Sequence, residues 1–310
     1  MVVEKQKELP EEDKIKLLNF LNEYGKKNWI LKWNEHIALP DKLFKSGNRE
    51  LVIRYLLFRA LINQQANVEK ARELPVQLYE AFGDEILVKP WNIDFIEVLG
   101  VFKMVGGPTG SKVYKVGFLG GIKPTSLFTY RFTAYMQFIR KLEKANLQLE
   151  NIITSVSSVR ELYDKLKDDE ILNIGWVGND PKACRMFVDW VTYFYTQIWK
   201  IKTNLSLRNT LMLIDGHSGK VFARTGFISK VYYEKRRPYI IEASKMRKNI
   251  EDEVIKYQEI LDIIPFYVDN GAFYLYLNGY CLEESPQCIK CPIRNLCMRY
   301  TKWTGYEKQK

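Results

Sequence analysis

CLEESPQCIKCPIRNLC, residues 281–297, spaces Cys281, Cys288, Cys291 and Cys297 as C-x6-C-x2-C-x5-C, and the fold is read outward from this loop. Four thiols in seventeen residues form a ligand set for a soft metal, because thiolate sulfur selects zinc, copper(I) or iron–sulfur clusters. Structural zinc sites usually join two short knuckles of the C-x2-4-C type. Only Cys288 and Cys291 make such a pair, and the outer two cysteines stand farther off on either side. A [4Fe–4S] cluster is wider than one ion, and a single loop of uneven spacings can wrap it. The cluster is the expected cofactor, and structural zinc is the alternative. A disulfide framework fits poorly, since Cys184 stands alone and nothing else in the chain suggests secretion.

At 310 residues the chain is long enough for two compact lobes with a substantial core. Its first residues, MVVEKQKELPEEDK, are charged throughout and lack the apolar stretch of a signal peptide. No uninterrupted apolar run approaches membrane-spanning length. An intracellular protein of a reducing compartment, with no membrane partner, is expected. Abundant Lys, Glu, Ile and Tyr with few His suggest a thermophile. The net charge of +10, from 47 basic and 37 acidic side chains, suits a polyanionic partner. Residues 229–250 hold seven Lys or Arg against two Glu, Arg236 and Arg237 among them, and this +5 is half the surplus. Either a solvated helix face or a set of phosphate contacts would account for it.

Apolar residues recur at helical spacing over residues 14–24, 51–64, 69–82, 130–145, 159–167, 181–199, 252–261 and 272–277. Gly83, Pro90, Gly120, Gly121 and Pro124 separate these stretches, and residues 106–124 are the least helical. There are no internal repeats and no low-complexity linker. An all-α architecture follows. Since the cysteines lie at the C-terminal end, the last helices are expected to join the N-terminal one in a lobe of residues 1–48 and 206–310, leaving 49–205 as the other.

Residues 171–190, ILNIGWVGNDPKACRMFVDW, run through a turn bearing Gly175 and Gly178 and restart as a helix at Pro181. Amides at such a helix start can bind a phosphate. The stretch resembles the helix-hairpin-helix of DNA glycosylases, which grips the DNA backbone beside the lesion. In that family a nucleophilic Lys follows the second Gly of a G-x-G turn by two residues. With Gly178–Asn179–Asp180 aligned on that turn, Asp180 replaces the second Gly and Lys182 takes the nucleophile position. Pairing Gly178 with the second Gly puts Asp180 there and removes the lysine. PKACRMF resembles the family's helix start and supports the first alignment.

Residues 213–228, LIDGHSGKVFARTGFI, resemble the family's V-D-x-H-x-x-R-V-x-x-R-x-G stretch at Asp215, His217, Val221, Arg224 and Gly226. The resemblance makes Asp215 the catalytic carboxylate, although an isolated Asp-Gly pair is only a turn signal. His217 is expected to be structural, and Lys220 receives no role. The cysteine spacing is similar to the cluster loop of endonuclease III-like members. The 33 residues from Lys182 to Asp215 are more similar to the spacing of archaeal 8-oxoguanine glycosylases. A weaker similarity covers residues 58–83, where relatives use a Gln or Asn to fill the hole left by an everted base; Gln65, with Gln64 beside it, matches.

The resemblance implies a helical barrel domain with the hairpin, a cluster-bearing lobe, and DNA held between them. It implies a monomeric base-excision enzyme acting on double-stranded DNA with a damaged base, in which Lys182 forms a Schiff base and β-elimination follows. Lysine-bearing relatives mostly act on oxidised bases, so an oxidised pyrimidine or 8-oxoguanine is expected. The alternatives are a monofunctional uracil or thymine mismatch glycosylase and a non-catalytic iron–sulfur DNA-binding protein. DNA contacts are expected at Gln64, Gln65, Gly175, Gly178, Asn179, Arg236 and Arg237. Relatives also touch DNA through the loop between the first two cysteines, but Glu283 and Glu284 argue against that contact here. A helicase is disfavoured, because no phosphate-binding G-x-x-x-x-G-K-[ST] loop is present.

Overall fold

The computed structural model describes residues 2–63, 68–105, 127–176, 180–234, 240–282 and 285–298. Gln64, Gln65, Gly178, Asn179, Arg236, Arg237, Glu283 and Glu284 lie outside the described residues, as does the stretch 106–124. Thirteen α-helices are described. They are α1 (Glu11–Ile37), α2 (Asp41–Lys45), α3 (Arg49–Ile62), α4 (Val68–Phe82), α5 (Glu85–Val88), α6 (Phe95–Met104) and α7 (Leu127–Lys144). They continue with α8 (Leu149–Ser155), α9 (Val159–Asp168), α10 (Lys182–Tyr193), α11 (Ser218–Thr225), α12 (Ala243–Leu261) and α13 (Pro265–Leu277). The protein is essentially all-α; two four-residue strands, β1 (Val2–Lys5) and β2 (Lys230–Tyr233), pair antiparallel with Val3 opposite Tyr232. No helix among the described residues is long and apolar enough to cross a membrane.

The chain divides into two compact units, one of residues 1–32 with 207–310 and one of 33–206. The first division falls inside α1, where no Gly or Pro announces it.

In the first unit, α13 meets α1 backbone to backbone. A Cβ on Gly25 would lie 1.9 Å from the Tyr267 carbonyl oxygen, and one on Gly271 would lie 2.0 Å from that of Leu21. Only hydrogen fits between these turns. Around the crossing pack Leu17, Leu18, Leu21, Val268, Ala272 and Leu275, all essentially inaccessible to water. Lys14, itself buried, bridges Glu8 at 2.6 Å and Glu253 at 2.9 Å, tying the N-terminal segment and α12 to α1.

In the second unit, α3 is the central helix, buried from Leu51 through Ile62 apart from Arg54. Asn48 caps it by accepting from the Leu51 amide at 3.2 Å. Glu50 accepts the Leu149 and Glu150 amides at 3.2 and 2.8 Å, capping α8 from a distant part of the chain. The buried Arg59 donates to the Ile37 and His36 carbonyls at 3.2 and 3.4 Å, answering the orphan acceptors at the end of α1. Burial beside Arg72 pulls the Arg59 guanidinium down to about 10.

Gly271→Ala is expected to lower stability by roughly 3 kcal/mol, because neither helix can yield without separating. Gly100→Ala, at an exposed position of α6 with no atom near the new methyl, is expected to gain about 0.5–1 kcal/mol. Thermal or urea unfolding of the two variants checks the contrast; similar midpoints would contradict it.

Candidate functional site

In the second unit the turn leading to Lys182 is built on side chains that replace backbone partners. Asp169 accepts the Ile171 and Leu172 amides at 2.8 and 2.9 Å, and Trp176 Nε1 donates to the Leu166 carbonyl at 2.8 Å. Gly175 has φ +80°, a conformation that favours glycine, and its amide donates to Asn173 Oδ1 at 2.7 Å. That amide is engaged within the turn.

Past the turn, Asp180 Oδ1 accepts from Tyr163 Oη and from Arg185 Nε, both at 2.7 Å. This carboxylate braces the start of α10 against α9. Burial and the neighbouring Asp180 push the Tyr163 hydroxyl well above its usual range. The cations of Arg160, Lys167 and Arg185 lie 5.5, 5.7 and 5.6 Å from the Tyr163 ring centre, and each is also paired with a carboxylate, Asp164 at 3.3 Å, Asp168 at 3.1 Å and Asp180 at 2.7 Å. Lys182 is the first residue of α10 and is half-buried. Cys184, two residues on, is buried, and desolvation raises its thiol far out of the reactive range.

In the first unit, Asp215 organises the entry to α11. Its Oδ1 accepts the His217 and Ser218 amides at 2.8 and 3.0 Å, and its own amide donates to Ser218 Oγ at 3.1 Å. This reciprocal pattern satisfies the first orphan donors of the helix. The helix ends at Gly226, whose φ of +81° lets the Phe227 amide reach back to the Phe222 carbonyl at 3.1 Å. His217 stacks on Tyr276 with ring centres 3.6 Å apart, and Lys220 Nζ lies 4.8 Å from the centre of the same ring. Every residue of α11 is buried, Lys220 and Arg224 included.

The four loop cysteines line one cavity together with Val221, Arg224, Leu275, Ile293 and Arg294. The loop starts where α13 stops, at Gly279 with φ +81°, and returns to the end of α11. There the Met298 amide donates to the Thr225 carbonyl at 3.3 Å, and the Cys297 thiol donates to the Arg224 carbonyl at 3.4 Å. Arg224 Nη1 donates to the Leu282 carbonyl at 2.6 Å and to Cys281 Sγ at 3.6 Å. Sequence matching picked out Arg224 without giving it a task; its task in the fold is to hold the first cysteine.

Burial pushes the Cys291 thiol up to about 11, and Cys281 and Cys288 push it the same way. Thiols crowded like this ionise together only with a cation between them. Among the described residues, no three Cys, His, Asp or Glu side chains converge closely enough to hold a metal ion. The cysteines surround a space instead of meeting at a point. Four sulfurs with apolar walls and two guanidiniums form a donor set that would hold an anionic iron–sulfur cluster.

Comparison with protein-family models, with curated proteins and with solved structures returned no match.

Asn caps a helix as well as Asp does, and Ala does not. Asp215→Ala is therefore expected to cost about 1 kcal/mol of stability, and Asp215→Asn less than about 0.5 kcal/mol. Urea denaturation of both variants tests this, and equal losses would remove the capping role.

Proposed function

We propose that the protein is a base-excision DNA glycosylase with abasic-site lyase activity, carrying a [4Fe–4S] cluster on Cys281, Cys288, Cys291 and Cys297. One observation carries the proposal. The turn of Asp215 and the cavity of the four cysteines stand at opposite ends of the same buried helix, α11. Two of the motifs that resemble the glycosylase family, the Asp215 stretch and the cysteine loop, thus meet on one packed helix. The hairpin of the second unit adds support, with Asp180 engaged as a brace and Lys182 opening α10.

On this reading, DNA backbone phosphate meets the basic stretch 229–250, and the damaged base leaves the stack at a cost of roughly a few kcal/mol. Breaking the N-glycosidic bond develops positive charge on the deoxyribose, which the Asp215 carboxylate stabilises. The two amides on Oδ1 fix the orientation of that carboxylate before substrate arrives. Lys182 Nζ attacks C1′ as the base departs. The amine loses its proton and the C1′–O4′ bond opens to give the Schiff base, from which loss of a C2′ proton expels the 3′ phosphate by β-elimination. When bound, the cluster would cross-link the C-terminal loop and take no part in these steps. The substrate class that fits a lysine-dependent enzyme is an oxidised base.

Borohydride trapping tests the proposal, on duplexes bearing thymine glycol, 8-oxoguanine, uracil or an abasic site. A covalent adduct is expected with the wild type and not with Lys182→Ala. Asp215→Asn, which keeps the cap, is expected to lose base release by at least about 100-fold. An adduct retained in Lys182→Ala would move the nucleophile elsewhere. Alkali-revealed base loss without any adduct would mean a monofunctional enzyme.

A further inference from the structure

The segment entering Asp215 belongs to neither helix nor sheet, yet its backbone is held at two points. The Met212 amide donates to Glu251 Oε1 of α12 at 3.0 Å, and the Ile214 amide donates to Asp269 Oδ1 of α13 at 3.3 Å. Ile214 is fully buried and has φ +31°, which a β-branched residue adopts only when its surroundings impose it. The residue after it is Asp215. Whatever holds Ile214 in that conformation sets the direction in which the Asp215 carboxylate leaves the chain.

Asp269 is well placed for this. Its side chain is buried, and a carboxylate inside a helical core is costly unless hydrogen-bonded. It stands two residues before Gly271, where α13 touches the backbone of α1 and cannot shift. The Ile214 amide is therefore anchored to one of the most constrained turns of the first unit.

We propose that Asp269 is a positioning residue: its buried carboxylate holds the strained Ile214 backbone and thereby aims Asp215. The catalytic consequence rests on the glycosylase reading; the mechanical one does not. Asp269→Asn keeps an oxygen able to accept the Ile214 amide, and Asp269→Ala keeps none.

The experiment compares both variants by single-turnover base release, by DNA affinity, and by amide hydrogen exchange over residues 211–216. In Asp269→Ala, base release is expected to fall about 100-fold, the loss typical of a misplaced catalytic group. DNA affinity should stay within about threefold, since no ligand contact is removed. Exchange in the segment should rise about tenfold, as a buried donor loses its acceptor. Asp269→Asn should restore most of the rate and the protection. Unchanged exchange in Asp269→Ala would overturn the proposal, as would raised exchange at an unaffected rate, or an Asn variant as impaired as Ala. If the wild type releases no base from any duplex, the glycosylase reading fails and the exchange comparison decides by itself whether Asp269 holds Ile214. Should Asp269→Ala not fold, raised exchange in a folded Asp269→Asn would overturn the proposal, and wild-type protection there would support it.

Discussion

The close crossing of α1 and α13, where Gly25 and Gly271 bring two backbones into contact, is the constraint on which the first unit depends. A helix held by its backbone is fixed in both translation and rotation, because neither partner has a side chain that can rearrange. Three features of α13 inherit that fixity. Asp269 reaches the Ile214 amide, Tyr276 receives the His217 ring, and the helix terminus at Gly279 opens the cysteine loop. The loop then ends on the last carbonyls of α11. Asp215 and the cysteine cavity are thus supported by the same two helices, although 66 residues separate Asp215 from Cys281 in the chain.

Charge is distributed differently in the two units. In the second, the cations around the hairpin are paired: Asp180 holds Tyr163 and Arg185, Asp164 meets Arg160, and Asp168 meets Lys167. In the first, buried Lys220 and Arg224 lie on a helix with no exposed residue. The proposed chemistry meets the positive charge that develops on the sugar with Asp215.

Helical periodicity was enough to find α4, α7 and α9, whose apolar faces are regular, and α3, which is buried nearly all round. It missed α11, because Lys220 and Arg224 are buried at positions that periodicity assigns to solvent. It also missed α6, which is apolar nearly all round and exposes Ile96 and Met104. The start of α12 at Ala243 was hidden by Lys245, Arg247 and Lys248, which read as a charge run. The strand pair joins segments from far apart in the chain, and no local pattern announces such a pairing. Among site residues, the cysteines and Asp215 stood out by spacing and motif. Asp269 and the cysteine-holding task of Arg224 did not, since each acts on a backbone or sulfur atom distant in sequence. At Gly175 the turn glycine is there, with its amide donating to Asn173.

The central claim is that the first unit presents Asp215 from helices locked to a cluster-bearing loop. The most direct test is the iron, zinc and acid-labile sulfide content of anaerobically purified protein, with its Mössbauer spectrum. The account predicts about four irons and four sulfides per chain in a single cubane environment. One zinc per chain without sulfide would contradict it.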